Sequence, residues 1–188
     1  MELETAIRGR RSIRQFSATP LPRAELAGLV EKALWAPSAM NTQPWHFYVV
    51  SGRRRDELEK VLMRSFGALL PRLRQLFKEK MVQMMRGYFL NFGNAPHFVV
   101  VTCDRLDVPE YQEGARQSAA AAIQNFCLLA HEAGLGTCWM TGPLWVKEEV
   151  LNFLAAGDQC LVAVVTIGRP EQSPPAPPRK AGAFQWLE

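Results

Sequence analysis

The chain has 188 residues, of which 48% are hydrophobic and 21% are charged, and its formal net charge is +4. These values are ordinary for one globular domain with its own core, and they exclude a chain that is disordered throughout. The positive excess is too small for a dedicated nucleic-acid binder, whereas a small anionic ligand would fit it.

The N-terminal residues carry no export signal. Met1 to Ala6 contain neither a basic segment nor an apolar run, and no stretch of the chain is apolar for long enough to cross a bilayer. The four cysteines are widely spaced in apolar surroundings, and with only three histidines they form no metal-binding pattern. We therefore expect a cytoplasmic protein with reduced core thiols, no membrane association and no metal site.

The first half of the chain predicts two helices, one strand and a helical arm. Apolar spacing indicates helices over 2–9 and 22–35, and aromatic and β-branched residues indicate a buried strand over 45–50. From about 56 to 91 the pattern is helical but irregular. Because proline lacks a backbone N–H and clashes with the preceding turn, we expect Pro71 to break or begin a helix, which makes this arm the candidate for a mobile lid.

The second half predicts three strands and two helices. Strands are indicated over 97–103, 137–140 and 160–168, a long helix over 113–133 and a shorter helix over 146–154. The last strand is almost wholly apolar, as is typical of a strand that is covered on both faces of its sheet. The sequence therefore predicts a layered domain with helices on both sides of the sheet.

A run of small residues, 118–122, lies at the centre of the long helix. Small side chains let another element approach closely, either inside the core or across a boundary between two subunits. The sequence leaves both interpretations open, and the second would make the protein a homodimer.

The C-terminal residues 172–188 are expected to form an extended arm. Pro174–Pro178 is rich in proline and imposes a polyproline-like path, which carries Arg179 and Lys180 to a place where the globular body alone would not put them.

A cationic segment follows the first helix. Arg10, Arg11 and Arg14 together with Ser12 offer several donors to a phosphate group. The alternative is a solvated basic face at the end of a helix, where arginine also interacts favourably with the helix dipole.

A loop of small and amide side chains lies between Pro37 and Pro44. Ser38, Asn41 and Gln43 offer the neutral hydrogen bonds that a polyol or a heteroaromatic edge needs. The alternative is a purely structural turn that Trp45 anchors in the core.

The glycines of Gly134–Pro143 do not have the spacing of a dinucleotide-binding motif, and a helix rather than a strand precedes them. A backbone amide near Thr141 or Gly142 could instead face a redox-active ring. The chain contains no nucleophile or metal motif of a hydrolase, so we assign no catalytic side chain.

Taken in order, these segments resemble the FMN-dependent nitroreductase family, and the resemblance extends over nearly the whole chain. The segments that carry it are Arg10–Arg14, Ala36–Trp45, Asn94–Pro96, Gly134–Trp139, Gly168–Pro170 and Pro178–Lys180.

The resemblance implies one α+β domain over 1–188, a three-layer sandwich with a mostly antiparallel central sheet flanked by helices. It also implies a homodimer that holds FMN at the subunit interface, so that the small-residue helix belongs to the subunit boundary. Residues 53–91 then form a helical segment that covers the substrate.

The resemblance also assigns the residues that contact the cofactor. Arg10, Arg11, Ser12, Ile13 and Arg14 would approach the phosphate, the ribityl chain and the pyrimidine edge of FMN, and Arg179 would return to the phosphate. Ser38, Asn41 and Gln43 would contact the flavin, with Ser38 reaching the FMN of the partner. Met140, Thr141 and Gly142 would lie beside the ring.

In this family the flavin carries the chemistry, which agrees with the missing catalytic constellation. NADH or NADPH delivers hydride to FMN and leaves, and a nitroaromatic, quinone or enone-like acceptor is then reduced in the same cleft by a ping-pong mechanism. Gly142 follows Thr141, where many relatives carry an acidic residue, so the sequence leaves the acceptor and the choice of nicotinamide open.

Three alternatives accompany this prediction. The chain could bind or sequester a flavin without turning over a donor, or it could catalyse a specialised reaction of the same fold, such as reductive dehalogenation or flavin ring cleavage. The third is a small nucleic-acid binder, suggested by Arg53–Arg55, but the surface aromatics that such proteins interleave with their basic residues are lacking. We expect Arg53–Arg55 to be solvated.

Overall fold

The sheet of the protein has four strands, and every neighbouring pair is antiparallel. The computed structural model describes all 188 residues. The strands are β1 (Trp45–Ser51), β2 (His97–Asp104), β3 (Gly136–Met140) and β4 (Gln159–Gly168). Their order in the sheet is β1-β2-β4-β3, so that β1 and β3 are the two edges and lie three strands apart.

Six helices flank the sheet. They are α1 (Leu3–Gly9), α2 (Arg23–Ala33), α3 (Gly52–Leu76), α4 (Glu79–Phe89), α5 (Pro109–Glu132) and α6 (Lys147–Leu154), and short 3₁₀ turns cover Ala39–Asn41, Phe92–Asn94 and Gly142–Val146. Each predicted helix and strand is present, with ends that differ by a few residues. No helix is both long enough and apolar enough to span a membrane.

The two faces of the sheet have separate apolar cores. Val99 and Val165 point to the face that α2 and α5 cover, where Phe126 is fully buried. Val100 and Val164 point to the opposite face and pack with residues of α3 and α6. Because successive side chains of a strand alternate in direction, central strands without polar alternation require this double cover. The predicted α+β three-layer sandwich is confirmed.

The helical arm departs from the prediction at Pro71. We expected a break or a start there, but α3 runs through Pro71 to Leu76 and the chain turns at Phe77 before α4 begins. Pro71 cannot bond the carbonyl of Gly67, four residues earlier. The helix is mostly exposed in this stretch, so water can reach that carbonyl and lower the cost of an internal proline.

Arg55 is another correction, because it is not solvated as predicted. Its side chain is 14% exposed and forms an ion pair with Glu59. Its Nε donates to the carbonyl oxygen of Ala95 at 2.9 Å, which ties the first turn of α3 to the segment before β2.

The small residues of α5 contribute to the core. Ala115, Ala119 and Ala122 are buried against the sheet and α2, whereas Ala120 and Ala121 are only half-buried. The run therefore packs inside the core of the single chain, which is one of the two roles left open by the sequence. The C-terminal residues 172–188 contain no helix or strand and are mostly exposed.

Candidate functional site

The cationic segment Arg10–Arg14 is extended and lies along the free edge of β3. The helix α1 ends at Gly9, and Ser12 then pairs with Thr137 as an isolated parallel bridge. The backbone N–H of Ile13 donates to the carbonyl oxygen of Thr137 at 2.9 Å. The segment is thus fixed to the sheet by backbone bonds that involve none of its arginine side chains.

Ile13 differs from its neighbours because its side chain is part of the core. It is 8% exposed and packs with Phe16 and Ala95. It also lies against Gly136, where an added Cβ would come within 2.9 Å of the Ile13 side chain. Only the backbone of Ile13 is therefore available to a ligand.

The other four residues of the segment line a cavity of about 350 Å³ together with the C-terminal arm. We call this cavity the arginine recess, and its lining residues are Arg10, Arg11, Ser12, Arg14, Pro174, Pro175, Pro177 and Arg179. Arg179, which is distant from the N-terminal arginines in the sequence, thus lines the same cavity as they do.

No carboxylate forms an ion pair with any arginine of the recess. Four guanidinium groups therefore surround one cavity without a counter-charge. Mutual repulsion makes such a cluster unfavourable unless an anion occupies it, and planar guanidinium groups match phosphate oxygens in geometry. The arginine recess is suited to bind a phosphate.

Arg14 of the arginine recess also contacts the helical arm, at Tyr88 of α4. The guanidinium carbon of Arg14 lies 6.0 Å from the centre of the Tyr88 ring. The Tyr88 hydroxyl donates to Sδ of Met140 at 3.2 Å and lies 3.3 Å from Oγ1 of Thr166. Burial raises the pKa of Tyr88 well above its usual value, so this hydroxyl keeps its proton.

The turn after β3 lies beneath the arm. A Cβ on Gly142 would come within 3.1 Å of Cδ1 of Leu69 and 3.3 Å of Cζ of Phe89, so α3 and α4 both cover this turn. Met140 is buried and its sulfur accepts a hydrogen bond from the Tyr88 hydroxyl, whereas Thr141 is exposed. Of the three predicted ring-side residues, Thr141 and Gly142 are therefore available and the Met140 side chain is not.

Leu69, Tyr88 and Phe89 were not singled out from the sequence. The sequence signal that could have identified two of them is the pair of adjacent aromatic residues, Tyr88 and Phe89, at the end of a helix. In the structure this pair belongs to a contiguous aromatic cluster with Phe66, Phe92 and Phe98. Side chains of this kind are common in the walls of ligand sites.

The predicted loop around Ser38 has a tightly wound backbone. Met40, Asn41 and Gln43 have positive φ values of 51°, 55° and 49°, a conformation that costs of order 1 kcal/mol for a residue with a side chain. Oγ of Ser38 accepts the backbone N–H of Gln43 at 3.0 Å, and Oγ of Ser118 in α5 accepts the N–H of Ala39 at 3.1 Å. Strain that is held in this way is typical of a functional loop.

Within one chain this loop lies far from the arginine recess. Ser118, which holds the loop, and His131, which packs against Gly9, are thirteen residues apart on α5, or about 20 Å at 1.5 Å per residue. The loop also precedes edge strand β1, whereas the recess flanks the opposite edge strand β3. The structure therefore does not bring Ser38, Asn41 and Gln43 to the other predicted site residues of the same protomer.

Comparison with known proteins places these features in a family. Residues 7–169 match the sequence model of the Nitroreductase family. A 4-nitrobenzoate reductase of Pseudomonas putida is 33% identical over an alignment of 201 positions, gaps included, which covers 92% of this chain and 87% of that protein. An iodotyrosine deiodinase of Thermotoga neapolitana is 27% identical over 175 residues, covering 90% of this chain and 89% of that protein.

The fold is also similar to a solved structure. The FMN-dependent nitroreductase NfnB of Mycobacterium smegmatis, in complex with NADPH, superposes with a TM-score of 0.81 at 20% identity over 98% of this chain and 97% of the other. The family match covers most of the sequence and includes the arginine segment, the Ser38 loop and the turn after β3. The chain belongs to the nitroreductase family.

Proposed function

We propose that the protein is an NAD(P)H-dependent FMN oxidoreductase that reduces a small organic acceptor. The observation that carries the proposal is the arginine recess, in which four arginines without counter-charge line a cavity of about 350 Å³. Arg14 of that recess contacts Tyr88, and Tyr88 donates a hydrogen bond to Met140. Met140 precedes the turn after β3, which the helical arm covers. A ligand with an anionic end and a planar end matches this arrangement.

FMN fits the residues present. Arg10, Arg11, Arg14 and Arg179 would hold its phosphate by charge-assisted hydrogen bonds, and Ser12 would add a neutral donor. The backbone of Thr141 and Gly142 would face the ring. When bound, FMN supplies a carrier that takes hydride from a nicotinamide and passes it to an acceptor.

The chain itself contributes binding, orientation and exclusion of water rather than acid–base chemistry. Leu69 and Phe89 cover the turn and would keep water from the acceptor, which favours hydride transfer over side reactions. Burial raises the pKa values of Tyr88 and Cys138, which both stay protonated near neutral pH. Neither group is therefore a general base.

We propose a homodimer, because one protomer holds only part of the predicted site. The Ser38 loop and the arginine recess lie about 20 Å apart along α5, so a second copy must supply the loop if both contact the same FMN. A twofold arrangement would provide two such shared sites. The exposed C-terminal arm and the half-buried Ala120 and Ala121 are candidate contacts.

The acceptor class is proposed as a nitroaromatic, quinone or enone-like compound. The 4-nitrobenzoate reductase relative favours a nitro group, and the iodotyrosine deiodinase relative makes a halogenated aromatic the second candidate. Because Gly142 has no acidic neighbour, the charge beside the ring does not decide between them.

The direct test is to purify the protein, record its visible spectrum with and without added FMN, and follow oxidation of NADH and of NADPH. The expected result is bound flavin and oxidation of at least one nicotinamide in the presence of a nitroaromatic or quinone. A colourless protein that gains no flavin would overturn the proposal. Flavin that dithionite reduces but neither nicotinamide does would favour a flavin-binding protein without turnover.

A panel of acceptors then separates the remaining alternatives. Nitrobenzoate, a benzoquinone, an enone and an iodophenol should be compared at equal concentration with the preferred donor. Preference for the iodophenol with release of iodide would favour the specialised dehalogenation. Loss of FMN absorbance during aerobic turnover would favour flavin ring cleavage.

A further inference from the structure

Two of the four cysteines lie directly opposite each other in the sheet. Cys103 of β2 and Cys160 of β4 are register partners in the antiparallel ladder, beyond the irregularity at Val101 and Thr102. Opposed residues of antiparallel strands share a face, and their Cα atoms are about 4.5 or 5.5 Å apart. Both spacings fall within the range of about 4.4–6.8 Å that a disulfide spans.

The side chain of Gln112 in α5 binds both sulfurs. Its Nε2 donates to Sγ of Cys103 at 3.4 Å, and Sγ of Cys160 donates to its Oε1 at 3.5 Å. The same amide also donates to the carbonyl oxygen of Asp104 and accepts the N–H of Leu106. The two thiols are thus held on the same face and oriented towards one amide group.

The two thiols differ in their access to solvent. Cys103 is fully buried, whereas Cys160 is partly exposed. Burial raises the pKa of Cys103 to about 11, and its thiolate is therefore scarce at neutral pH. Cys160 is the sulfur that an external reagent can reach first, and Cys103 is placed to react only with its neighbour.

We propose that Cys103 and Cys160 form a reversible thiol–disulfide pair that a hydroperoxide oxidises. With hydrogen peroxide as the hydroperoxide, the sulfur of Cys160 attacks one peroxide oxygen and the O–O bond breaks. The second oxygen leaves as water with the proton that the Cys160 thiol releases, and Cys160 becomes a sulfenic acid. The sulfur of Cys103 then attacks the sulfur of Cys160. The S–S bond forms, the S–O bond breaks, and the hydroxyl leaves with the Cys103 proton as a second water, so that two thiols lose the two electrons that the peroxide gains.

The remaining cysteines provide a comparison within the same chain. Cys127 of α5 and Cys138 of β3 are both buried, and no polar side chain bridges their sulfurs. They have no exposed member through which oxidation could begin. Oxidation of the native protein should therefore be confined to the Cys103–Cys160 pair.

The test treats the reduced full-length protein with hydrogen peroxide, blocks the remaining thiols under denaturing conditions and counts them. The free thiols should fall from four to two, and digestion should release a peptide that joins Cys103 to Cys160 and separates with dithiothreitol. Cys160→Ser should keep all three of its thiols. The matched variant Cys127→Ser should still form the cross-link.

Cys103→Ser gives an independent check, because it leaves the accessible thiol in place without its partner. Peroxide should then stop at a sulfenic acid on Cys160, which dimedone traps. The proposal fails if the native protein keeps four thiols, if Cys160 is oxidised without a cross-link, or if the cross-link joins other cysteines. None of these readouts involves flavin, so the outcome is independent of the proposed activity.

Discussion

The hydroxyl of Tyr88 in α4 donates a 3.2 Å hydrogen bond to the sulfur of Met140 at the end of β3. This bond fastens the helical arm to the sheet beside the turn that is expected to face the flavin. The Tyr88 ring packs edge-on against Phe92, which in turn packs against Phe98 of β2. The arm is therefore attached by a polar contact at the site and by aromatic contacts behind it.

Tyr88→Phe should weaken this attachment without removing the aromatic packing. The change deletes the bond to Met140 and leaves Thr166, whose hydroxyl is buried, without its side-chain partner. We expect the free energy of unfolding to fall by about 1–2 kcal/mol. Urea denaturation measures this value.

Tyr111→Phe is the matched control, because it removes the same hydroxyl from a side chain that is 57% exposed and has no hydrogen-bond partner in the fold. Its stability should equal that of the wild type. Equal stability of both variants would contradict a structural role for the Tyr88 hydroxyl.

Gly142→Ala should displace the arm from the turn. The new Cβ would meet Leu69 at 3.1 Å and Phe89 at 3.3 Å, and both are side chains that can move by a few tenths of an ångström. We expect a loss of stability of about 1 kcal/mol, at the lower end of the usual cost of overpacking, together with a several-fold change in kcat/KM for bulky acceptors. Steady-state kinetics with a small and a large acceptor provide the measurement.

Gly87→Ala on the same arm has nothing within 4 Å of its Cβ. This substitution should stabilise α4 by about 0.5–1 kcal/mol, because alanine is the better helix former. An identical acceptor profile for the two variants would count against contact between the arm and the acceptor.

Local sequence patterns were sufficient to predict the strands of the sheet, but not to predict which distant segments meet at the site. The continuous β-branched and apolar residues of β2 and β4 predict buried strands. A strand that is buried on both faces has apolar residues at successive positions and not at every second one. Arg179 lines the same cavity as the N-terminal arginines, and the prolines before it limit the path of the C-terminal arm, but its contact with FMN stays a prediction. Pro71 was misjudged because solvent exposure, which local sequence does not reveal, makes an internal proline tolerable.

The position of the Ser38 loop within the protomer does not follow from its local sequence, for a related reason. Its distance from the recess depends on the length of α5 and on the strand order, and neither is encoded in the loop itself. Tyr88 was missed because its role depends on Met140, which lies 52 residues away in the sequence. Contacts of this kind arise only when the elements pack.

Arg179→Gln should weaken FMN binding. Charge-assisted hydrogen bonds contribute about 1.5–3 kcal/mol, which corresponds to an increase in Kd of about 10- to 150-fold. Fluorescence titration of the apoprotein with FMN gives the Kd directly. The neighbouring Lys180 is equally exposed but does not line the recess, so Lys180→Gln should change the Kd by less than about threefold through long-range charge alone.

The protein should lose stability as the pH falls below about 6.5, and His97 should contribute. Burial and the charge of Arg55 lower the pKa of His97 from its usual value of 6.5. Nε2 of His97 accepts the N–H of Leu21 at 2.8 Å, which requires the unprotonated ring nitrogen. Below pH 6.5 the unfolded chain binds a proton that the folded protein resists, so the free energy of unfolding decreases with decreasing pH.

His97→Gln keeps an acceptor for Leu21 but cannot titrate. Its free energy of unfolding should therefore depend less on pH between 6.5 and 5 than that of the wild type, as measured by urea denaturation across that range. Part of the dependence should remain, because burial together with Arg10 and Arg11 also lowers the pKa of His131. Parallel curves for the two proteins would contradict the role of His97.

A shared site across two subunits makes a distinctive prediction for mixed dimers of Ser38→Ala and Arg179→Gln. If one subunit supplies Ser38 and the other supplies Arg179, every site of each parent dimer has one defect. A heterodimer would collect both defects in one site and leave the second intact. Subunit exchange at equal amounts should therefore restore about a quarter of the wild-type activity, since half the dimers are mixed and each has one good site.

The control mixes Arg14→Gln with Arg179→Gln, two variants of the same arginine recess. Their heterodimers carry one defect in each site, so exchange should restore nothing. Equal behaviour of the two mixtures would contradict a site divided between subunits. Full activity of Ser38→Ala by itself would instead remove Ser38 from the site, and the strained loop around it would then need a different explanation.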